Sequence, residues 1–250
     1  MKRSAEADDP RRRLLIQALA TGLFSGGLTV CSPLAAQIGG GRPSKLPPGT
    51  SVYRSSGTAT VNDRPVVAET QIRPGDTLRT GKDSEIVFVV SDCSIMLRAD
   101  SHVVLEAEKG AAPSMRLAGL RLLAGKLLSV YPPGPVQIQT VTATAQIRGT
   151  GVYVEADQEQ TYFCTCFGVT DVVANDDPDS RETVAATHHN KPLYILAGTK
   201  NRGKSIRVGP FINHTDQELA LIETLVGRAL PQTFVFPDKR YEPPGRPYRP

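Results

Sequence analysis

Between residues 51 and 200 the apolar side chains come in short runs, each cut off by Gly, Pro, Asn or Asp. That punctuation constrains the fold more than any other feature. Runs at 57–61, 65–68, 85–90, 94–98, 103–107, 117–123, 125–130, 136–143, 151–156, 162–166 and 169–174 are rich in Val, Ile, Leu and Thr. Such residues suit a pleated, half-buried surface. Turn signals every 8–12 residues or so point to a sandwich, barrel or solenoid rather than to a helical bundle. With 22 Gly, 20 Pro and no Trp, the composition agrees. Hydrophobic residues make up 40% of the chain, enough for a packed core. No strict internal repeat is visible, so a regular solenoid does not follow from the sequence.

One segment breaks the pattern. Thr215 followed by Glu218 has the spacing of a capping box. Leu219, Ile222, Leu225 and Val226 then fall on one helical face, and Gly227 is a natural stop. The expectation is a helix over about 215–227 that packs its apolar stripe on the β body.

The formal net charge of +4 belongs to the two ends. Lys2, Arg3, Arg11, Arg12 and Arg13 outweigh Glu6, Asp8 and Asp9 in the first 37 residues. Lys239, Arg240, Arg246 and Arg249 outweigh Asp238 and Glu242 in the last thirteen. The body between them is neutral. A phosphate-binding face needs clustered Lys and Arg on folded structure, so nucleic acid is not an expected partner.

Residues 1–37 read as a secretory signal peptide. Arg11-Arg12-Arg13 precedes Leu14-Leu15-Ile16, an apolar stretch runs to Val30, and Ala35-Ala36 offers a small-residue cleavage site. The triple arginine and the glycines of the apolar stretch also resemble a twin-arginine signal. An uncleaved anchor is the competing reading, because a stretch of about 17 residues is at the lower limit for spanning a bilayer. Residues 38–50 read as a Gly/Pro/Ser linker, and 231–250, with six prolines, as an extended or disordered tail.

Several runs together resemble the FecR domain, a periplasmic module of bacterial signalling proteins. The resemblance rests on Gly57-Thr58-Ala59-Thr60-Val61, on Gly75-Asp76-Thr77-Leu78-Arg79-Thr80-Gly81 and on the pair of runs around Ser91-Asp92-Cys93-Ser94. It continues with Leu122-Leu123-Ala124-Gly125-Lys126-Leu127 and ends with Thr144-Ala145-Gln146-Ile147-Arg148-Gly149-Thr150-Gly151-Val152-Tyr153-Val154. The Arg148-Gly149-Thr150 signature is its most specific part, and about residues 55–175 are covered. It implies a mostly β, FecR-like β-solenoid or β-sandwich of short antiparallel strands with one C-terminal packing helix. The expected layout is a FecR-like β domain over 51–200, a C-terminal extension over 201–230 and the tail. The best-known family members carry a sigma-factor-binding segment ahead of a membrane helix. Here only Met1 to Pro10 precede the apolar stretch, so the expectation is an exported, stand-alone periplasmic protein without that segment. It would touch the membrane only through an uncleaved signal.

Cys31 lies within the signal-peptide reading, which leaves Cys93, Cys164 and Cys166. In a strand, Cys164-Thr165-Cys166 places both sulfurs on one face. His188, His189 and His214 come later in the chain. Were 188–189 in a strand, its two rings would point to opposite faces, so one of them would reach the sulfurs, and His214 at the helix start would be a fourth ligand. Two thiolates and two imidazoles suit tetrahedral Zn²⁺ or a soft-ligand copper site. Three other readings stay open: a Cys164–Cys166 disulfide, a pairing of either with Cys93, or ordinary buried and surface histidines. His102 reads as a surface residue.

No nucleophile elbow, phosphate loop or His-Glu-x-x-His helix is present. Asp176, Asp177 and Asp179 read as a solvated acidic turn. The leading functional reading is therefore a periplasmic, non-enzymatic FecR-domain binding or signalling protein with an envelope protein as partner and no certain cofactor. A Zn- or Cu-binding protein built on Cys164, Cys166, His188 or His189, and His214 is the alternative, and a metalloenzyme ranks third.

Overall fold

The computed structural model describes residues 43–108, 116–198 and 204–234. The signal-peptide reading, the first part of the linker and the tail beyond residue 234 lie outside them. Among the described residues fourteen strands form one sheet, and one helix, α1 (Asp216–Leu225), comes after them. Among the described residues no helix is long and apolar enough to cross a membrane. The chain is mostly β, as its punctuation predicts.

The strands are not all short. Between the hairpins run β8 (Leu117–Val130), β10 (Ala143–Ala156) and β11 (Gln160–Ala174). The sequence divides each of these stretches at a glycine, yet the chain passes straight through. Gly125, Gly149 and Gly168 take φ of 98°, 60° and 89°, values open to glycine because it has no Cβ. They bend a strand without ending it, and partners change beside them. Strand β8 pairs first with β7 (His102–Ala107) and β9 (Pro135–Gln139), then with β6 (Cys93–Leu97) and the second half of β10. Strand β11 pairs with β13 (Leu193–Leu196) over residues 160–163 and with β12 (Arg181–Ala186) over 168–173. Every pairing is antiparallel except β8 with β9, so the strands do not stack as the parallel coils of a β-helix.

Both faces of the central strands are buried, which explains their nearly continuous apolar runs. In β5 (Glu85–Val90) Ile86, Phe88 and Val90 enter the larger apolar cluster, while Val87 points to a second one. Ile95 and Leu97 of β6 join the first, Met96 the second. Strand β10 divides Val152 and Val154 from Tyr153 in the same way. Period-two alternation thus separates two cores on opposite faces of one sheet. Ser91, at φ 51°, turns the β5–β6 hairpin. Arg148 of the signature pairs with Asp171 at 3.1 Å on the surface.

The helix covers the second core. Thr215 caps it and forms the full capping box with Glu218, and Gly227 lies just past its end at φ 74°. Leu219, Ile222 and Leu225 are buried, each stabilising the packed state by roughly 1.5–3 kcal/mol. Arg98, almost fully buried, pairs with Glu218 at 3.0 Å and lies over the Tyr153 ring. The described part of the linker is also engaged: Leu46 donates its amide to the Leu225 carbonyl at 2.9 Å and packs on this core. Strand β14 (Ile206–Val208), within the expected extension, pairs with β13.

Candidate metal centre

The gap between β13 and β12 along the outer edge of β11 leaves residues 164–167 without a neighbouring strand there. Cys164 and Cys166 lie in that gap. Alternation turns both sulfurs toward the second core, and Thr165 turns the other way to meet the Thr170 hydroxyl at 2.6 Å. The turn after β12 fills the gap, with the His189 amide donating to the Cys166 carbonyl at 3.0 Å.

Residues 188–189 are in that turn and not in a strand. The Asn190 side-chain oxygen accepts from the Thr187 and His188 amides at 2.8 and 3.0 Å. His189 takes the left-handed φ of 47°. Strand alternation therefore does not apply, and both rings converge on one carboxylate. His189 Nε2 lies 3.0 Å from Asp216 Oδ1, and His188 Nε2 lies 3.1 Å from Asp216 Oδ2. The other nitrogen of His189, Nδ1, faces the Cys164 sulfur at 3.4 Å. His214 lies between left-handed Asn213 and the cap Thr215. Its Nε2 lies 3.4 Å from the Cys166 sulfur and 3.1 Å from His189 Nδ1.

The four atoms Cys164 Sγ, Cys166 Sγ, His189 Nδ1 and His214 Nε2 all lie within 4.8 Å of one another. A tetrahedron with metal–sulfur bonds of ~2.3 Å and metal–nitrogen bonds of ~2.05 Å has S–N edges of about 3.6 Å and an N–N edge of about 3.3 Å. The Cys164–His189 and Cys166–His214 contacts and the N–N contact depart from those values by about 0.2 Å. Hydrogen bonding also orients the rings. The Ile212 carbonyl can only accept, so His214 Nδ1, 2.7 Å away, carries the proton. The Asp216 carboxylate fixes the proton of His189 on Nε2 in the same manner. Two bare imidazole nitrogens then face each other across 3.1 Å, an arrangement that needs a shared cation or donor.

This geometry sets the electrostatics of the metal-free site. Burial opposes charge on His189, but Asp216 and the Cys164 sulfur outweigh it and raise the imidazolium to about 9. Burial likewise opposes ionisation of Asp216, and His188 and His189 override it and hold the carboxyl well below the usual range. Burial also works against a Cys164 thiolate, yet Cys166, His214 and His189 bring that thiol well below its ordinary value. Cys166 is driven the other way by burial and by Cys164. Without a metal, a proton held among these groups supplies the cation.

Aromatic rings close the site. Tyr153 stacks on His214 at 4.4 Å, Phe211 lies 4.3 Å from His189, and Phe234 lies 4.7 Å from His188. All four candidate ligands are buried. Phe234 comes from the start of the segment read as a tail, and it too is buried.

The structure thus brings Cys164, Cys166, His189 and His214 together, and places His188 one step out, on Asp216. Cys93 lies in the other core, its thiol pushed up to about 12 by burial despite Arg228, so it does not meet the other two sulfurs. All three described cysteines are free thiols. His102 is only partly buried, on β7. Asp216 was not marked by the sequence, where it reads as a first-turn acid favoured by the helix dipole.

A family model described as FecR protein matches residues 76–169. It includes Cys164 and Cys166 and ends before His188, His189, His214 and Asp216. Two crystal structures of a candidate anti-sigma factor from Parabacteroides distasonis ATCC 8503, at 1.65 and 2.50 Å resolution, are similar to the chain at 13% identity and a TM-score of 0.42. They cover 60% of this chain, and the likeness spans 74% and 73% of their own. No curated protein matches the chain.

Proposed function

We propose that this chain, which carries a FecR domain over residues 76–169, is an exported, non-catalytic signalling protein of the bacterial envelope that holds one structural metal ion. Cys164, Cys166, His189 and His214 are its ligands. The convergence of four ligand atoms within 4.8 Å, with His189 Nδ1 and His214 Nε2 3.1 Å apart, carries the reading. Four protein ligands in a tetrahedral spread suit Zn²⁺ better than Cu²⁺, which favours square-planar or tetragonal sites. A closed set of four leaves no position for water or substrate, which separates a structural site from a catalytic one. The rest of the reading comes from the FecR family, which is regulatory, and from the leader-like residues 1–37. An envelope protein is the partner it implies.

Elemental analysis of protein purified under thiol-reducing conditions tests this reading. The expected result is one ion per chain. Replacement by Co²⁺ should give thiolate charge-transfer and tetrahedral d–d bands. A metal-poor chain with a mapped Cys164–Cys166 disulfide would falsify it.

Asp216 has a positioning role in the same reading, because it orients His189 and is in turn held by His188. Outer carboxylates of this kind typically contribute 10–100-fold to metal affinity. Asp216→Asn is therefore expected to weaken Zn²⁺ by about 10- to 100-fold in chelator competition, with the β circular-dichroism signal unchanged. Unaltered affinity would leave Asp216 only its favourable place at the helix N-terminus.

A further inference from the structure

The outer apolar face of the sheet and the segment that covers it come from different parts of the chain. Val87, Met96, Leu128, Val130 and Tyr153 form much of that face, and all lie within the FecR match at 76–169. The cover, α1 with Phe234, lies wholly beyond it. The candidate ligands divide along the same line: Cys164 and Cys166 belong to the matched region, His189 and His214 to the C-terminal remainder of the chain. His214 directly precedes the helix cap, and Asp216 is the first helical residue.

We infer that this face of the FecR domain is a helix-binding surface, occupied in cis by α1, and that the metal at Cys164, Cys166, His189 and His214 is the latch that keeps it occupied. The inference rests on the metal-binding reading above. A metal bound by Cys164 and Cys166 of β11, by His189 of the turn that fills the gap beside them, and by His214 directly ahead of the helix ties the sheet to its cover at the helix N-terminus. The far end of the helix is held by the buried Ile222 and Leu225, by the Leu46 amide on the Leu225 carbonyl and by the Arg228 guanidinium on the Asp92 carbonyl. The chain's own helix defines what the surface accepts. A partner helix needs apolar residues at the i, i+3 and i+6 spacing of Leu219, Ile222 and Leu225. It also needs an acid just ahead of them, where Glu218 meets the buried Arg98. Helix-in-groove recognition of this kind is read by such anchors.

The test uses the full chain in three states: metal-loaded, stripped by a chelator under reducing conditions, and reloaded with Zn²⁺. Hydrogen exchange is measured in residues 209–230 and in β5 to β8, with bound metal determined in parallel. A labelled synthetic peptide of residues 209–230 serves as the trans helix. Stripping should speed exchange in 209–230 by about tenfold or more while β5 to β8 stay protected. The peptide should bind only the stripped chain, and reloading should reverse both effects. A His214→Ala chain should show the open behaviour even with Zn²⁺ present. If measured metal leaves and the helix stays protected, the latch is overturned while the metal site stands. Loss of protection throughout β5 to β8 also overturns it, since the ion then supports the whole domain. A chain that never holds metal removes both readings.

Discussion

Replacing Cys164 by serine is expected to weaken metal binding by about 10²- to 10³-fold. The figure comes from sharing the roughly 10–16 kcal/mol of a structural zinc site over four ligands, or about 2.5–4 kcal/mol each. Serine keeps the shape of the side chain but not the soft thiolate. At Cys164 the loss is compounded, because the sulfur is fully buried and lies 3.4 Å from His189 Nδ1. A hydroxyl there can still hydrogen-bond to His189 Nδ1, as acceptor from the imidazolium or as donor to the neutral ring, so the metal-free fold should survive. Double replacement with Cys166→Ser should remove stoichiometric metal altogether. Competition against a chromophoric chelator gives the affinity, and circular dichroism shows that the β signal persists. A Cys164→Ser/Cys166→Ser chain that still purified with one ion would show that the metal sits elsewhere.

Gly125→Ala is expected to cost about 3–5 kcal/mol of stability, among the largest effects of any single substitution here. Gly125 bends β8 at φ 98°, a conformation that alanine adopts only under strain. A methyl at that position would also overlap the Ser101 backbone and side chain. Ser101 cannot withdraw, because it is a buried junction. Its hydroxyl accepts from the Lys126 amide at 2.9 Å, and its own amide donates to Thr80 Oγ1 at 3.0 Å. Thr80 in turn donates to the Arg98 carbonyl at 2.5 Å, and Arg98 pairs with the helix through Glu218. Displacing Ser101 would disturb both the strand crossover and the helix anchor. Urea denaturation gives the measurement. A loss under about 1 kcal/mol would mean that the bend tolerates a side chain and that the close approach at Ser101 relaxes.

These two cases mark how far local sequence can be read. Cys164-Thr165-Cys166 was legible because strand alternation is a local rule: two residues apart means the same face. The helix was legible for the same reason, since Thr215, Glu218 and the Leu219, Ile222 and Leu225 stripe all act within one element. Gly125, Gly149 and Gly168 misled, because a glycine in a β-rich run reads as a break. Only neighbouring strands reveal that each lets one long strand bend and exchange partners. His188 and His189 could not be separated by sequence either. Their roles depend on the left-handed turn at His189 and on the Asn190 bonds that hold it.

By itself, the sequence determined a mostly β chain, a resemblance to FecR, a capped C-terminal helix and a pair of sulfurs on one strand face. Each comes from periodicity, capping or turn chemistry within a few residues. Tertiary structure alone decided that β12 and β13 leave a gap at Cys164–Phe167, that His189 rather than His188 fills it, and that Asp216 orients His189. It also decided that His214, 48 residues beyond Cys166, meets the same point. Such convergence depends on long-range pairing and on the burial of a second core, and no local pattern encodes either.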